Sequence, residues 1–524
     1  MGRYRGKPAP DASITEAALD AMDADGLRSL ICEMLPWFDE ALLARFANAL
    51  VDRAARNGSG WVPQGPTDAV VKEVEAFAEA AKRAGYAEPS VVDAYLREGC
   101  NAFLAKNYAA VFQIFRALLI PASHGEFHLG QDEMIHEVLG IEPATCAAQY
   151  VASMYMTATP KNRGMAVLSA INEMRGTAHF WAPLRELERI AIEPLPDFDD
   201  FLVQWKALVE ERVQKGRKND WDSDEDHWLR EVVQRTQGPE GLAEVARASK
   251  RADDLRAWCR ALVEAGDWKG VLAAYDEATE LISDKAYARG DFLDGAALAA
   301  QELRRKDLPA RLERAWREAP SMVRLRRWLG SSNSKKVLLG RVSEALADVP
   351  ERAYRQRALL CVLDGNFTEA ARFLGSAKGL GWSSGDHPGH LLFPLFVSLL
   401  GGIELPDEPA RDYAELSLLS DGDEARLVTP EVADLIRLAG IQAPTESATR
   451  AAVIKSMRTA AEKRIAGVTE NKRRRHYGHA ASLALACAQV DSSTTGTKWL
   501  EGIRNEYRRY PALQRELGGR KGRA

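Results

Sequence analysis

Residues 255–278, LRAWCRALVEAGDWKGVLAAYDEA, decide the fold. Leu255, Trp258 and Leu262 recur at helical spacing and share one face. Gly266-Asp267-Trp268 interrupts the run, after which Val271, Tyr275 and Ala278 resume the same period. The stretch predicts two helices joined by a tight turn, with Gly266 in the left-handed backbone region that side chains resist. A small residue such as Ala278 lets the two helices approach closely.

Three other stretches repeat the arrangement. Glu351 to Ala377 places Tyr354 and Ala358 before Gly365-Asn366-Phe367, then Ala370 and Leu374. Tyr95 to Leu118 carries Tyr95, Gly99, Ala102, Tyr108, Val111 and Phe115, with Pro121 beyond. Asp294 to Pro320 is the loosest copy, through Leu308, Leu312 and Ala315. The order of bulky residue, Gly turn, aromatic and Ala resembles the tetratricopeptide repeat, whose period is about 34 residues. Here the copies are unevenly spaced and separated by other helices. The expected fold is all-α: an irregular tetratricopeptide-like α-solenoid of helical hairpins.

The chain has 524 residues, 46% of them hydrophobic and 28% charged, an ordinary balance for packed domains. No run of roughly 18 apolar residues suggests a membrane span. Met1 to Ser13 is basic with no apolar segment behind it, so no secretory signal is expected. The six cysteines lie far apart without a Cys-x-x-Cys, as in reduced core positions of a cytoplasmic protein. Composition shifts divide the chain into a flexible N-terminus (1–20), an N-terminal helical domain (21–215) and an acidic linker (216–240). A central tetratricopeptide-like domain (241–404), a second linker (405–428) and a basic C-terminal module (429–524) follow. The net charge of −5 hides an asymmetry: from Arg450 onward the chain carries +11, leaving −16 on the rest.

Three patterns suggest chemistry, and each conflicts with its context. Gly381-Trp382-Ser383-Ser384-Gly385 spells a nucleophile elbow, which needs a strand before the serine, whereas a helical hairpin precedes it. The bland reading is a Gly/Ser loop held by Trp382. His124, His128 and His136 with Glu126, Asp132 and Glu133 could ligate a metal, but Gly125 and Gly130 argue against a shared helix face. Asp220, Asp222, Asp224, Asp226 and Glu231 have the carboxylate spacing of an EF-hand loop, yet its turn glycine is Glu225. An acidic helix start ahead of Trp228 and Leu229 accounts for them. The expectation is therefore no catalytic residues, no cofactor and no metal site.

The basic set Lys472, Arg473, Arg474, Arg475 and His476 with Arg504, Arg508 and Arg509 is the candidate surface for a polyanion or an acidic partner. Lys472 to Arg475 reads as opening a helix, the end at which the macrodipole disfavours positive charge. Packing of this face against the acidic remainder of the chain is the favoured expectation.

Val468-Thr469-Glu470-Asn471 leads into this basic run, followed by Tyr477, Ala480-Ala481, Leu483 and Cys487. Trp499-Leu500, Ile503-Arg504, Tyr507 and Pro511-Ala512-Leu513 come next. Together these residues resemble the C-terminal helical segment of a group of bacterial proteins, many of which carry a SWIM zinc finger. Leu129-Gly130-Gln131-Asp132-Glu133, Gly381-Trp382-Ser383 and His387-Pro388-Gly389-His390 look similar too. The Cys-x-Cys and Cys-x-His of the finger are absent, so its binding activity does not carry over. The resemblance implies a scaffold in a multi-protein system, with an ATPase of the MoxR type or a von Willebrand A domain protein as partner. The expected function is a non-catalytic protein-binding scaffold. A nucleic-acid-associated protein acting through the basic module is the alternative, and a hydrolase or metal enzyme the third reading.

Overall fold

The computed structural model describes residues 12–130, 138–216, 221–284, 286–401, 424–491 and 493–518. Among them the chain is all-α, with 25 α-helices and no strand. It divides into two units, Met1–Leu242 and Ala243–Ala524.

The first unit holds α1 (Ala12–Asp20), α2 (Ala24–Met34), α3 (Glu40–Arg56), α4 (Asp68–Ala84), α5 (Pro89–Leu104) and α6 (Tyr108–Ser123). It continues through α7 (Pro143–Thr157), α8 (Arg163–Met174), α9 (Pro183–Ile190), α10 (Phe198–Gly216) and the start of α11 (Asp224–Ser249). α6 is central, taking α4, α5 and α7, and α7 in turn takes α8 and α9. An aromatic run fills the far end of this core. Tyr155 meets Phe201 at 4.9 Å, Phe201 stacks on Trp205 at 5.9 Å, and Trp205 lies 5.8 Å from Trp228.

The second unit holds α12 (Ala252–Glu264), α13 (Trp268–Leu281), α14 (Arg289–Glu302), α15 (Leu308–Glu318), α16 (Met322–Leu329), α17 (Lys335–Asp348) and α18 (Tyr354–Leu363). After these come α19 (Phe367–Ser376), α20 (Gly389–Gly401), α21 (Val432–Ala439), α22 (Ser447–Glu470), α23 (Tyr477–Val490), α24 (Thr494–Glu506) and α25 (Pro511–Leu517). From α12 to α19 each helix packs on its successor, the pairwise pattern of a solenoid. α19 then lies along α22, α22 along α23, and α23 takes α24 and α25.

All four expected hairpins form, as α5–α6, α12–α13, α14–α15 and α18–α19. Their turns share one construction. The second residue past each first helix is left-handed: Lys106 (φ 60), Gly266 (φ 73), Arg304 (φ 52) and Gly365 (φ 75). The next residue donates its N–H to the carbonyl five residues back, Asn107 to Ala102 at 2.8 Å, Asp267 to Leu262 at 3.2 Å, Arg305 to Ala300 at 2.9 Å and Asn366 to Cys361 at 2.9 Å. These bonds satisfy carbonyls that a helix end leaves open. In three turns that same residue also caps the following helix. The side chains of Asn107, Asp267 and Asn366 accept the N–H of Ala110, Gly270 and Glu369. One polar residue thus ends one helix and starts the next, and the aromatic after it (Tyr108, Trp268 or Phe367) is the first helical residue. No atom lies near where a Cβ would sit on Gly266 or Gly365, so glycine is there for its φ alone.

Several expected boundaries change. Ala12–Asp20 is helical where a flexible end was expected, and residues 1–11 lie outside the described residues. The acidic linker expected over 216–240 is in large part helix. Ser223 and Asp226 form a reciprocal capping box, Ser223 N–H donating to Asp226 at 2.9 Å and Asp226 N–H to the Ser223 hydroxyl at 3.2 Å. Behind that cap, Trp228, Val232 and Val233 are buried at helical spacing, and the path breaks only at Gly238 (φ 62, ψ −154). Residues 405–423 of the second linker lie outside the described residues. The basic module over 429–524 is not separate: Val453, Met457, Ile465, Ala481, Leu483 and Leu513 belong to one apolar core with Leu325, Leu359, Leu374 and Phe393. Sequence reading separated them because a shared core joins residues far apart in the chain.

Candidate functional site

The basic residues sit where α22 gives way to α23. Lys472 is left-handed (φ 53) and donates to the Thr469 carbonyl, while Arg473 donates to that of Val468 at 2.8 Å. A 3-10 turn, Arg474–His476, then leads into α23. Lys472 and Arg473 thus close a helix C-terminus, whose exposed carbonyls favour positive charge. Arg474 and Arg475 stand, as expected, at the opening of the next helix, where the dipole disfavours them.

Lys472, Arg473, Arg474 and Arg475 are exposed, as are Arg508 and Arg509. Apart from the bond from Arg475 Nε to His476 Nε2 at 3.1 Å, their side chains meet no charged or hydrogen-bonding partner among the described residues. Burial first, then Glu506 and, less, Glu470 at the end of α22, raise the phenol of Tyr507 beside Arg508. Among the described residues the expected docking of this face onto acidic parts of the chain is not found. The contacts that dock α22 onto α19, α20 and the loop between them use other cations, on carbonyls, while Arg458 of α22 pairs with Asp491 at the end of α23. Lys463 Nζ reaches Gly375 O at 2.6 Å, Arg464 reaches Gly379 O at 3.2 Å, and Arg450 reaches Leu400 O at 3.3 Å.

Two members leave the expected set. Arg504 is half-buried and donates to Leu517 O at 2.7 Å, closing the end of α25. His476 is held below its ordinary pKa by burial first and then by Arg464 and Arg475, so at neutral pH it adds no charge. The exposed members of the set are Lys472, Arg473, Arg474, Arg475, Arg508 and Arg509.

The described members of the other patterns take these places in the fold. Ser383 lies in a 3-10 turn with its hydroxyl on Leu380 O at 3.2 Å, and Trp382 beside it is buried. Asp386 accepts the Tyr354 and Arg355 N–H groups that start α18. Sequence reading missed the company around Trp382: His387 at 4.6 Å, His390 at 5.3 Å and, from α23, His479 at 4.9 Å. Burial first, with His390, Arg464 and His479 adding, pushes His387 down to about 4, so it stays neutral in this cluster. The His387-Pro-Gly-His390 spacing hinted at the local pair, but nothing local points to His479.

His124, Glu126 and His128 are exposed on the loop after α6. Glu126 faces Lys82, and His128 Nδ1 accepts the Gly130 N–H at 3.0 Å. Asp132, Glu133 and His136 lie outside the described residues, as does Asp220. Asp222 pairs with Arg230, Asp224 with Arg175, and Asp226 serves the capping box, so these carboxylates face different partners.

Glu231 caps α9, accepting the Leu184 N–H at 3.1 Å and the Arg185 N–H at 2.8 Å. Burial outweighs those two bonds and raises its pKa from 4.5 to about 7. The folded protein holds this proton more tightly than the unfolded chain. The resulting stability is complete below about 4.5 and is lost as pH rises through about 7. Urea unfolding at about pH 5 and about pH 8 should show this decline in the wild type and a flatter profile in Glu231→Gln. Equal profiles would contradict the assignment.

No protein-family model matches the chain, and no curated protein matches it.

Proposed function

We propose that this protein is a non-catalytic helical-repeat scaffold that holds an acidic protein partner through the basic surface at the end of α22. The exposure of Lys472 to Arg475 and of Arg508 and Arg509, without carboxylate partners among the described residues, carries this reading. Like charges gathered on one exposed surface repel one another, and an opposing acidic surface relieves that repulsion. The hairpin turns fix successive helices against one another and supply the rigid frame a scaffold needs. The likeness to the SWIM-associated group favours an ATPase or a von Willebrand A domain protein as the partner.

Nucleic acid is the second reading, and one observation favours it. Tyr507 and Tyr510 lie 6.0 Å apart and flank Arg508 and Arg509, an aromatic and cationic arrangement on which bases stack. Anisotropy titrations with single- and double-stranded DNA and RNA at about 50 and 200 mM salt separate the two readings. A scaffold for an acidic protein should show weak binding without sequence preference that disappears at the higher salt. Tight, sequence-selective binding that survives it would replace the scaffold reading with the nucleic-acid one.

A further inference from the structure

The first unit contains a cavity of about 1040 Å³ between α3, α5, α7 and the end of α9. Its wall includes Cys100 on α5, close to Arg97, Asn101 and Thr145. Cys146, on α7, lies directly behind and is fully buried. The two sulfurs are 3.9 Å apart, although 46 residues separate them in sequence. Among the described residues no other thiol pair is in contact, and the six cysteines are all free.

We infer that Cys100 and Cys146 form an oxidisable dithiol, with the cavity as the path by which a peroxide reaches Cys100. The cavity gives Cys100 contact with solvent, whereas Cys146 is covered on all sides. Burial, reinforced by the neighbouring Cys100, raises the Cys146 thiol well above its ordinary value, so it carries little thiolate and is not the first sulfur to react. Cys100 sulfur attacks the peroxide, the O–O bond breaks, and Cys100 sulfenic acid and water result. Cys146 sulfur then attacks the sulfenic sulfur. The S–S bond forms, the S–O bond breaks, and hydroxide leaves with the Cys146 proton as a second water. Two thiols lose two electrons and two protons, and the peroxide gains them. A sulfur separation already near van der Waals contact needs only small side-chain rotations to reach the roughly 2 Å of a disulfide. The bond ties α5 to α7 across the floor of the cavity, and a dithiol reductant reverses it.

The test uses the full-length reduced protein and hydrogen peroxide at one equivalent, followed by denaturation, alkylation and peptide mass spectrometry. The expected product is a Cys100–Cys146 cross-linked peptide lighter by two hydrogens, with Cys32, Cys259, Cys361 and Cys487 alkylated. In Cys146→Ser, a sulfenic-acid trap should label Cys100. In Cys100→Ser, Cys146 should stay reduced at the same dose. Alkylation of all six cysteines in the wild type would overturn the inference. So would over-oxidation of Cys100 with Cys146 still alkylated, or a bond through Cys32 instead. The wild-type peptide map decides the matter even if a serine variant fails to fold.

Discussion

Asp294→Ala should lower the unfolding free energy by about 3–5 kcal/mol, the cost of removing one partner from a buried ion pair. Asp294 is 2% exposed on α14 and sits between two guanidinium groups. Arg324 reaches its Oδ2 at 2.9 Å, and Arg327, whose side chain is fully buried, reaches the same oxygen at 3.4 Å. Removing the carboxylate leaves the buried Arg327 and the partly buried Arg324 facing each other without their shared anion. Arg327 also holds Thr429 Oγ1 at 2.8 Å and Glu424 O at 2.7 Å, and Gln301 brackets Arg426 and Val428. The loss should therefore reach segment 424–430 as faster amide exchange at Val428. Asp294→Asn keeps an acceptor for Arg324 and should cost less. An unfolding free energy from urea titration within about 1 kcal/mol of wild type for Asp294→Ala would place the pair among those that contribute little.

In the first unit, Trp228→Ala should cost about 3–5 kcal/mol, the range for emptying a buried aromatic site. Trp228 is 1% exposed, its Nε1 donates to Phe180 O at 2.6 Å, and its ring ends the run through Trp205, Phe201 and Tyr155. Two losses combine: the cavity left beside Trp205, and a buried carbonyl without its donor. Trp228→Phe separates them, because it fills most of the space but donates nothing, and should cost about 1–3 kcal/mol. Urea unfolding followed by far-UV circular dichroism measures both variants. Equal costs for the two would show that the hydrogen bond, not the packing, dominates.

The hairpins were legible because Gly266 and Gly365 mark left-handed turns and the aromatic after each turn opens a helix. The same turn at Lys106 and Arg304 carries no such mark, since a non-glycine residue gives no sign in sequence that its φ is positive. Nothing in the local sequence of α16 signals that Arg326 and Arg327 are buried, yet both are 1% exposed. Their partners at 424–430 are about a hundred residues away, and no local pattern reports them. The basic surface was legible as a set of residue types. Which members face solvent was not, because Arg504 and His476 are withdrawn by contacts with α25 and α22 that only the fold creates. Cys100 and Cys146 looked like two unrelated core thiols for the same reason.

The scaffold reading is tested most directly by charge reversal followed by affinity purification from the native host. The wild type and the triple variant Arg473→Glu, Arg474→Glu, Arg475→Glu would be compared by quantitative mass spectrometry, with circular dichroism to confirm that both are folded. These side chains are exposed and hold no structural partner among the described residues beyond His476, so the variant should fold normally. The expected result is one acidic protein enriched with the wild type and lost from the variant, with no change after nuclease treatment. An identical set of co-purifying proteins with both, or loss of the partner on nuclease treatment, would contradict it.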